Sequence, residues 1–447
     1  MVDKLVEVAE AAVALGKRQG ADAVEAYVST GRELSIEVRH GVVETLKQAE
    51  EKGIGVRVLK GRRVGFAFGT ELLKQGVRDT VERALAAAAY TSDDPFLHIP
   101  SLEGRYPSME LYDADIDSTP VESKISLAKR MEEAAFGADA RVKVTESSTY
   151  QEGTGNVAIV NSKGIAAEYH SAACGLYISL AAEQDGQSET GYALWFGRRY
   201  RELTPEVLGR EAAERAVKLL GAQTTGSCTV PVIFDPYVAV DIIGLLGPAL
   251  TAEAVQRGRS LFAGKTGEQV AAGAITLVDD GTYPDGTGSA PFDGEGLPTG
   301  KTVLVKDGVL QGYLYNTYTA RKEDRASTGN AVRHSFKSMP GVGTTNFYLE
   351  PGGRPAEELI REVREGLYVL EVMGMHTANP ISGDFSVGAV GIWIENGVLT
   401  RPVRGVAIAG NVIELLKQVD AVADDLRFFG GRGAATFRVA ALSVSGR

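Results

Sequence analysis

Cysteine and histidine are both scarce in this chain of 447 residues. Two cysteines, Cys174 and Cys228, are too few for a secreted disulfide framework and are typical of a reducing compartment. Metal-dependent hydrolysis needs several imidazoles or carboxylates that converge on one ion, and a helical pair of histidines is its usual sign in a sequence. The five histidines lie far apart along the chain, so this sign is missing.

The sequence also has no long apolar run and no basic stripe. The longest near-apolar stretch, Val238 to Leu250, contains Asp241 and is too short to span a bilayer. Charged residues occur at short intervals in the first 20 positions, where a signal peptide needs an apolar stretch. The formal charge of 47 − 58 = −11 disfavours direct nucleic-acid binding. We expect a cytoplasmic protein with no membrane segment.

Common catalytic and nucleotide-binding motifs are absent as well. Gly-Lys-Thr occurs at Gly264 and at Gly300, but Arg259 and Glu295 stand where a P-loop requires its first glycine. No Gly-x-Ser-x-Gly elbow occurs. The acidic residues between Asp279 and Glu295 do not have EF-hand spacing, and their neighbouring glycines and prolines favour plain turns.

What the chain does have is glycine, 53 residues of it, together with alternating apolar patterns. Apolar stripes of helical period begin at Leu5, Leu73 and Val121, and strand-like runs cover Arg141 to Glu152 and Ala158 to Gln184. A turn at Gly61–Arg63 predicts a hairpin in the first half. The second half is rich in hairpin signals, notably Asp307-Gly308 and Asn396-Gly397, and has one predicted helix near 356–370. The length favours two domains, with predicted bounds of 1–225 and 226–447.

Polar, glycine-dense segments are concentrated in the second half. Glycine lets a backbone approach a ligand closely, and Asn, Thr and Arg side chains can pair with peptide groups. These segments are equally compatible with a peptide groove and with tight turns capped by small polar residues. They are Tyr318–Lys322, Ser327–Asn330, Thr344–Asn346, Gly383–Ser386 and Ala409–Asn411.

Several of these segments, taken in order, carry a resemblance to the TldD/PmbA family, whose older name is the modulator of DNA gyrase family. The resemblance covers nearly the whole chain and is specific as a set. It implies an α+β fold, with a mixed α/β N-terminal domain followed by a C-terminal domain with a large curved antiparallel β-sheet. The matching segments are Gly53–Val58, Phe262–Glu268, Phe292–Gly296, Lys306–Leu310, Tyr318–Lys322, Gly383–Ser386, Ile394–Gly397, Ala409–Asn411 and Asp424–Leu426.

The chain departs from the family's TldD-type members at the metal site. Those members share a helical His-Glu-x-x-x-His motif and a later cysteine. Counting back from Phe262 puts the three helical positions near Ile243, Gly244 and Pro248, none of which binds metal, and the loop Gly430–Gly433 has no cysteine. The chain therefore resembles the PmbA (TldE) branch. This implies no metal or cofactor in this chain, and a zinc-dependent TldD-type partner.

The resemblance implies a non-catalytic subunit of a metalloprotease complex that degrades or processes small unfolded peptides. The subunit would form a heterodimer with the TldD-type chain, or a homodimer in its absence. Candidate peptide-binding residues are Arg321, Asn330, Asp384, Ser386 and Asn411.

Two alternatives remain open on the sequence alone. One is a metal-independent hydrolase with a composite site of Asp384 and Ser386 with His334 or His376. The other is a homodimeric peptide-binding scaffold with no catalytic partner.

Overall fold

The computed structural model describes residues 5–446. Long antiparallel strands dominate the first half, and its helices lie between them in the sequence. The elements are α1 (Leu5–Arg18), β1 (Ala23–Arg39), β2 (Val42–Lys60), β3 (Arg63–Gly69), α2 (Lys74–Ala88), α3 (Ala114–Ser118), α4 (Val121–Ala138), β4 (Val142–Asn161), β5 (Ala166–Gln184), β6 (Gln187–Gly197) and α5 (Pro205–Leu219).

These six strands form one antiparallel sheet in the order β3-β2-β1-β4-β5-β6. Even-numbered residues of β1 point to one face, where α1 and α2 cover Val24 and Val28 and where α4 and α5 cover Leu34 and Ile36. Because side chains alternate along a strand, the odd-numbered residues of β1 all point to the opposite face. That second face meets the second half of the chain over only part of its length.

The second half has shorter strands and several short helices. Its elements are β7 (Cys228–Phe234), α6 (Pro236–Gly244), α7 (Leu246–Ala249), α8 (Ala252–Gln256), β8 (Leu277–Asp280), β9 (Lys301–Lys306), β10 (Val309–Leu310), α9 (Thr317–Lys322), β11 (Ala331–Val332), β12 (Gly341–Val342), β13 (Phe347–Leu349), α10 (Ala356–Arg361), β14 (Glu365–Met373), β15 (Asp384–Glu395), β16 (Val398–Asn411), α11 (Val412–Lys417), β17 (Val419–Val422), β18 (Arg427–Phe429), β19 (Arg432–Ala434) and β20 (Phe437–Ser445).

One of its two six-stranded sheets is closed. Its order is β16-β15-β14-β7-β20-β17, and a further pairing between the first strand, β16, and β20 closes it into a barrel. The strand β7 runs parallel to β14 and antiparallel to β20, and a large apolar core fills the interior. A mixed sheet, β10-β9-β8-β13-β19-β18, packs beside the barrel.

The predicted α+β fold is confirmed. The Asp307-Gly308 and Asn396-Gly397 turns do join antiparallel strands, as predicted. Among the described residues, no helix is both long and apolar enough to cross a membrane.

Two predicted elements are wrong in extent. The helix near 356–370 ends at Arg361, because Leu367 and Val369 alternate into the barrel core on β14. The break predicted after Glu152 is also absent, and β4 continues to Asn161. Hydrogen-bonded neighbours on both sides, β1 and β5, hold the glycines of β4 in an extended conformation.

The two halves meet at a buried polar cluster, which we call the junction: Glu25, Arg57, Glu295 and Arg333. Arg57 lies between two carboxylates, 2.7 Å from Glu25 Oε2 and 3.2 Å from Glu295 Oε1. Arg333 pairs with the other oxygen of Glu25. Since isolated buried charges are costly, this mutual pairing fixes the halves in one arrangement.

Candidate functional site

A trough runs across the middle of the first sheet, on the face that carries no helices. Paired residues of four strands line it, so their side chains lie side by side across the sheet. The lining residues are mostly small or polar: Ser29, Gly31, Glu33 and Ser35 of β1, Lys47, Ala49 and Glu51 of β2, Gln151, Gly153 and Gly155 of β4, and Ser171 and Ala173 of β5.

Two adjoining cavities of about 470 Å³ and 580 Å³ make up the trough. They share Glu33, Ala49, Gly153 and Ala173, so the space is continuous from one to the other. Each is within the size range of ligand-binding clefts, and together they exceed the needs of a small metabolite. The shape therefore favours an elongated ligand.

Glycine keeps the floor of the trough open. A Cβ added at Gly153 would meet no atom within 4 Å, and one added at Gly31 would meet only the Thr154 carbonyl oxygen at 3.7 Å. Neither glycine has a positive φ, so backbone geometry does not require glycine there. What the missing side chains provide is space above the sheet.

One wall of the trough comes from the second half, and Arg198 holds it in place. The buried guanidinium donates hydrogen bonds to the carbonyl oxygens of Gly286 at 2.9 Å and Thr287 at 3.0 Å, and to Ala172 of β5 at 3.2 Å. His334 and Ser335 complete this wall. Since Arg198 is saturated with backbone acceptors, its role is to fix the wall rather than to bind a ligand.

The chemistry available in the trough is that of hydrogen bonding and charge pairing. Glu33, Lys47 and Glu51 supply both signs of charge, and the serines supply hydroxyl groups that donate and accept. Across the described residues, no three His, Cys, Asp or Glu side chains converge in a way that could hold a metal ion. These groups suit the recognition of peptide amides and charged side chains.

The positions that the resemblance matches to the TldD-type His-Glu-x-x-x-His motif, counted back from Phe262, lie on α6 and just after it. Ile243 is buried in the barrel core, and Pro248 is exposed on α7. The side chain of Arg432 occupies the space beside Gly244, with its Nη1 3.0 Å from where a Cβ would stand. A metal site at this position would need imidazole or carboxylate ligands, and the structure has the Arg432 guanidinium there instead.

Three predicted peptide-binding residues are close together at the start of β15. Asn411 Nδ2 donates to Asp384 Oδ1 at 2.9 Å and to the Ser382 carbonyl at 2.8 Å, and its Oδ1 accepts from Ile413 N at the start of α11. Hydrogen bonds from Asn411 and Ser382 hold the pKa of the Asp384 carboxyl below its usual value. Ser386 is exposed two residues further along β15.

Arg321 and Asn330 lie elsewhere, and neither lines the trough. Arg321 is exposed on α9. Asn330 is buried, donates to Asp279 Oδ2 at 2.6 Å and accepts from Thr328 Oγ1 at 2.7 Å, so its amide already has partners within the chain. A role of these residues in peptide binding stays a prediction.

The residues of the composite hydrolase hypothesis are not hydrogen-bonded to one another. His334 belongs to the trough wall, whereas His376 lies in a single 3₁₀ turn that precedes β15. Within residues 5–446, neither histidine forms a hydrogen bond with Asp384 or Ser386.

The trough was not predicted from the sequence. Its signal was the run Ser29, Gly31, Glu33 and Ser35, in which small and polar residues alternate with residues of the helix-covered face. A second signal was Gly153-Thr154-Gly155, which reads as an interruption of a strand and is instead the floor of a cleft.

Comparison with known proteins gives a consistent result along the chain. Three family models match: PmbA/TldA metallopeptidase domain 1 at residues 24–88, the central domain at 114–220 and the C-terminal domain at 227–446. Among curated relatives, the metalloprotease PmbA of Escherichia coli O157:H7 is 32% identical over 418 residues, which is 93% of this chain and 89% of that protein. A TldD homologue of Haemophilus influenzae is 29% identical over 90% of this chain and 86% of its own length.

Solved structures show the same fold. A Thermotoga maritima protein, solved as a candidate modulator of a DNA gyrase, superposes with a TM-score of 0.92 at 30% identity and covers 98% of this chain and 99% of its own. TldE of Thermococcus kodakarensis superposes with a TM-score of 0.90 at 24% identity, over 98% of this chain and 100% of its own. By sequence and by fold, the chain belongs to the PmbA/TldD metallopeptidase family.

Proposed function

We propose that this chain is the non-catalytic subunit of a TldD/PmbA-type metalloprotease, and that it holds an extended, unfolded peptide in its trough while a TldD-type partner supplies the metal and the general base. The observation that carries this proposal is that Ile243, Gly244 and Pro248, the positions matched to the TldD-type motif, offer no metal ligand in a chain of a metallopeptidase family.

The trough supports the second part of the proposal. A peptide in extended conformation needs a long, shallow surface with polar groups at regular intervals, and strands supply such groups every second residue. Gly31 and Gly153 leave room for the peptide backbone close to the sheet. A substrate held in register in this way meets a catalytic group in a productive geometry, which raises the rate without chemistry in this chain.

The test is to purify this chain alone and together with a TldD-type partner. Bound transition metal is measured by elemental analysis, and cleavage of an unfolded protein is measured with each preparation. We expect no stoichiometric metal and no cleavage by the chain alone, but cleavage by the pair. Stoichiometric metal and cleavage by the chain alone would refute the non-catalytic role. Cleavage that survives chelators would instead favour the composite hydrolase.

A variant tests the trough directly. Gly153→Leu places a side chain in open space above the floor of the trough. In the pair with a TldD-type partner, it should raise the KM for peptide cleavage at least about tenfold, because the leucine fills the cleft. Gly137→Leu is the matched control, since Gly137 lies near the end of α4 and a Cβ there also meets nothing within 4 Å. Equal KM values for the two variants would place the peptide outside the trough.

A further inference from the structure

One carboxylate stands at the centre of the trough floor. Glu33 of β1 lies between Ala49 of β2 and Gly153 of β4, and Ala173 of β5 extends this row across the sheet. The neighbours of Glu33 in the row are all small, and its side chain is exposed. Both cavities of the trough share this row, so Glu33 lies where they meet. A ligand that extends through both cavities must pass over its carboxylate.

The next row of the floor carries the opposite charge. There Lys47 of β2 lies opposite Ser35 of β1, which is also paired with Gln151 of β4. The Lys47 side chain is exposed and lines the trough, as that of Glu33 does. Because Ser35 is two residues from Glu33, the two rows are about 6.6 Å apart at ~3.3 Å per residue. The floor therefore presents a negative and a positive group at the spacing of a strand.

Neither of these two charges is neutralised within the part of the chain that the structure describes. The side chains of Glu33 and Lys47 form no ion pair and no hydrogen bond there, with each other or with a third group. Other charged residues of the trough are occupied: Glu51 pairs with Lys337, and Arg198 donates to backbone carbonyl oxygens. Unpaired charges are common on open surfaces, but these two face a cleft. Both are therefore available to a ligand.

An extended peptide has the same repeat as the floor. Its side chains alternate between two sides, so residues i and i+2 point to one side about 6.6 Å apart. A peptide that lies along β1 can place one side chain over Glu33 and the next but one over Lys47. Opposite charges at these two peptide positions satisfy both groups at once. Opposite charges on adjacent residues point to opposite sides, so they satisfy only one.

We propose that the trough selects extended peptides in which a basic and an acidic residue are separated by one residue, with the basic side chain over Glu33 and the acidic one over Lys47. This inference rests on the proposed function, since it requires a peptide in the trough, and it adds the class of peptide. The pattern is the same for either direction of the peptide. Exposed ion pairs are individually weak, so the pattern provides specificity more than affinity.

Two labelled peptides of equal composition test the spacing. Both have capped ends and are otherwise uncharged; one contains Lys-Ala-Glu and the other Lys-Glu-Ala. Binding to this chain is measured by fluorescence anisotropy at low ionic strength, where exposed charges are least screened. We expect the Lys-Ala-Glu peptide to bind at least about twofold more tightly, because it forms the second pair, and we expect high salt to remove the difference. Equal Kd values at low ionic strength would overturn the proposal.

Charge reversal tests the two residues. Glu33→Lys leaves two cations on the floor and should favour a Glu-Ala-Glu peptide, whereas Lys47→Glu leaves two anions and should favour Lys-Ala-Lys. Relative to the Lys-Ala-Glu peptide, each preference should shift at least about fourfold from the wild-type value, because one pair changes sign for each peptide. The matched controls are Glu183→Lys and Lys143→Glu, which change the net charge equally at exposed positions of β5 and β4 outside the trough. Shifts of the same size in the controls would refute the assignment of the two residues.

The Gly153→Leu variant separates failure of this inference from failure of the proposed function. Peptides that lose affinity in this variant but ignore spacing and charge would bind in the trough without the selection described here. Peptides that bind this variant as tightly as the wild-type chain would lie outside the trough. In that case both the inference and the peptide-holding role would be wrong, and the absence of any peptide binding would have the same consequence.

Discussion

The two ends of strand β2 differ in how their charged residues are placed: Arg57 belongs to the junction, whereas the segment Val42–Lys52, which we call the arm, is almost entirely exposed. At the junction, Glu25 and Arg57 are buried and each is paired with groups from the second half. On the arm, Glu44, Lys47 and Glu50 are exposed to solvent. Buried charge pairs are retained at a cost in desolvation, whereas exposed charges keep an edge soluble. One end of β2 is therefore fixed to the second half by buried charge pairs, and the other end is held only by β1 and by the exposed Lys337–Glu51 pair.

The largest expected effect comes from breaking the junction. Arg57→Met keeps much of the side-chain volume but leaves the Glu25 and Glu295 carboxylates buried without their central cation. Removing one partner of a buried pair typically costs about 3–5 kcal/mol in the free energy of unfolding. Chemical denaturation of the wild-type chain and the variant measures this loss in the free energy of unfolding. Arg63→Met, which removes a surface pair with Asp93, is the control and should cost less than about 1 kcal/mol. Similar losses for the two variants would show that the junction does not fix the halves.

A second prediction compares two glycines on the trough side of the sheet. At Gly55 an added Cβ would stand 2.3 Å from the Phe336 carbonyl oxygen, whereas at Gly153 it would meet nothing within 4 Å. Gly55→Ala should therefore lower the unfolding free energy by about 1–3 kcal/mol through overpacking. Gly153→Ala should be neutral or stabilising by about 0.5–1 kcal/mol, because alanine reduces the entropy of the unfolded chain. The reverse ranking in thermal or chemical unfolding would contradict the assigned packing.

Much of the fold could be predicted from the sequence, because helices and hairpins leave local periodic signals. The stripe from Leu5 and the turn at Gly61 predicted α1 and the β2–β3 hairpin correctly. The junction could not be predicted, since Glu25 and Glu295 are 270 positions apart and no local pattern links them. The trough was missed for a related reason: Gly153 reads as a breaker unless both flanking strands are known.

The candidate site was predictable only in part. Segments rich in Asn, Gly and Thr were predicted to bind peptides, because their polar groups can pair with peptide amides. The same residue types also cap helices and close turns. Asn411 caps α11, and Asn330 supports the buried Asp279. A sequence alone does not tell which polar groups have their partners within the chain, because that depends on contacts made after folding.

The third prediction concerns pH, and it separates buried carboxylates near the junction from exposed ones. Burial raises the pKa of Asp279 to about 6, and burial together with the nearby Glu295 carboxylate raises the pKa of Asp293 to about 7. In the unfolded chain both titrate near pH 3.9. Between about pH 4 and 7 the folded state therefore binds more protons, so stability falls as pH rises through this window.

The measurement is the unfolding free energy at intervals from pH 4.5 to 7.5. Each excess proton contributes a slope of up to about 1.4 kcal/mol per pH unit. Asp279→Asn should flatten the slope below pH 6, whatever its effect on absolute stability, and the exposed Asp79→Asn should leave the slope unchanged. A stability that rises with pH in the wild-type chain over this range would contradict the assignment.

The smallest expected effect lies where the arm touches the second half. Lys337 pairs with Glu51 of the arm, and both side chains are about half exposed. Because solvent screens such a pair, Lys337→Met should lower the unfolding free energy by less than about 1 kcal/mol, and 1 M salt should remove the difference. Arg57→Met, measured in the same salt series, should keep most of its loss, since buried pairs are screened much less. If Lys337→Met instead destabilised the chain as much as Arg57→Met does, the arm would be held by its own chain as firmly as the junction is.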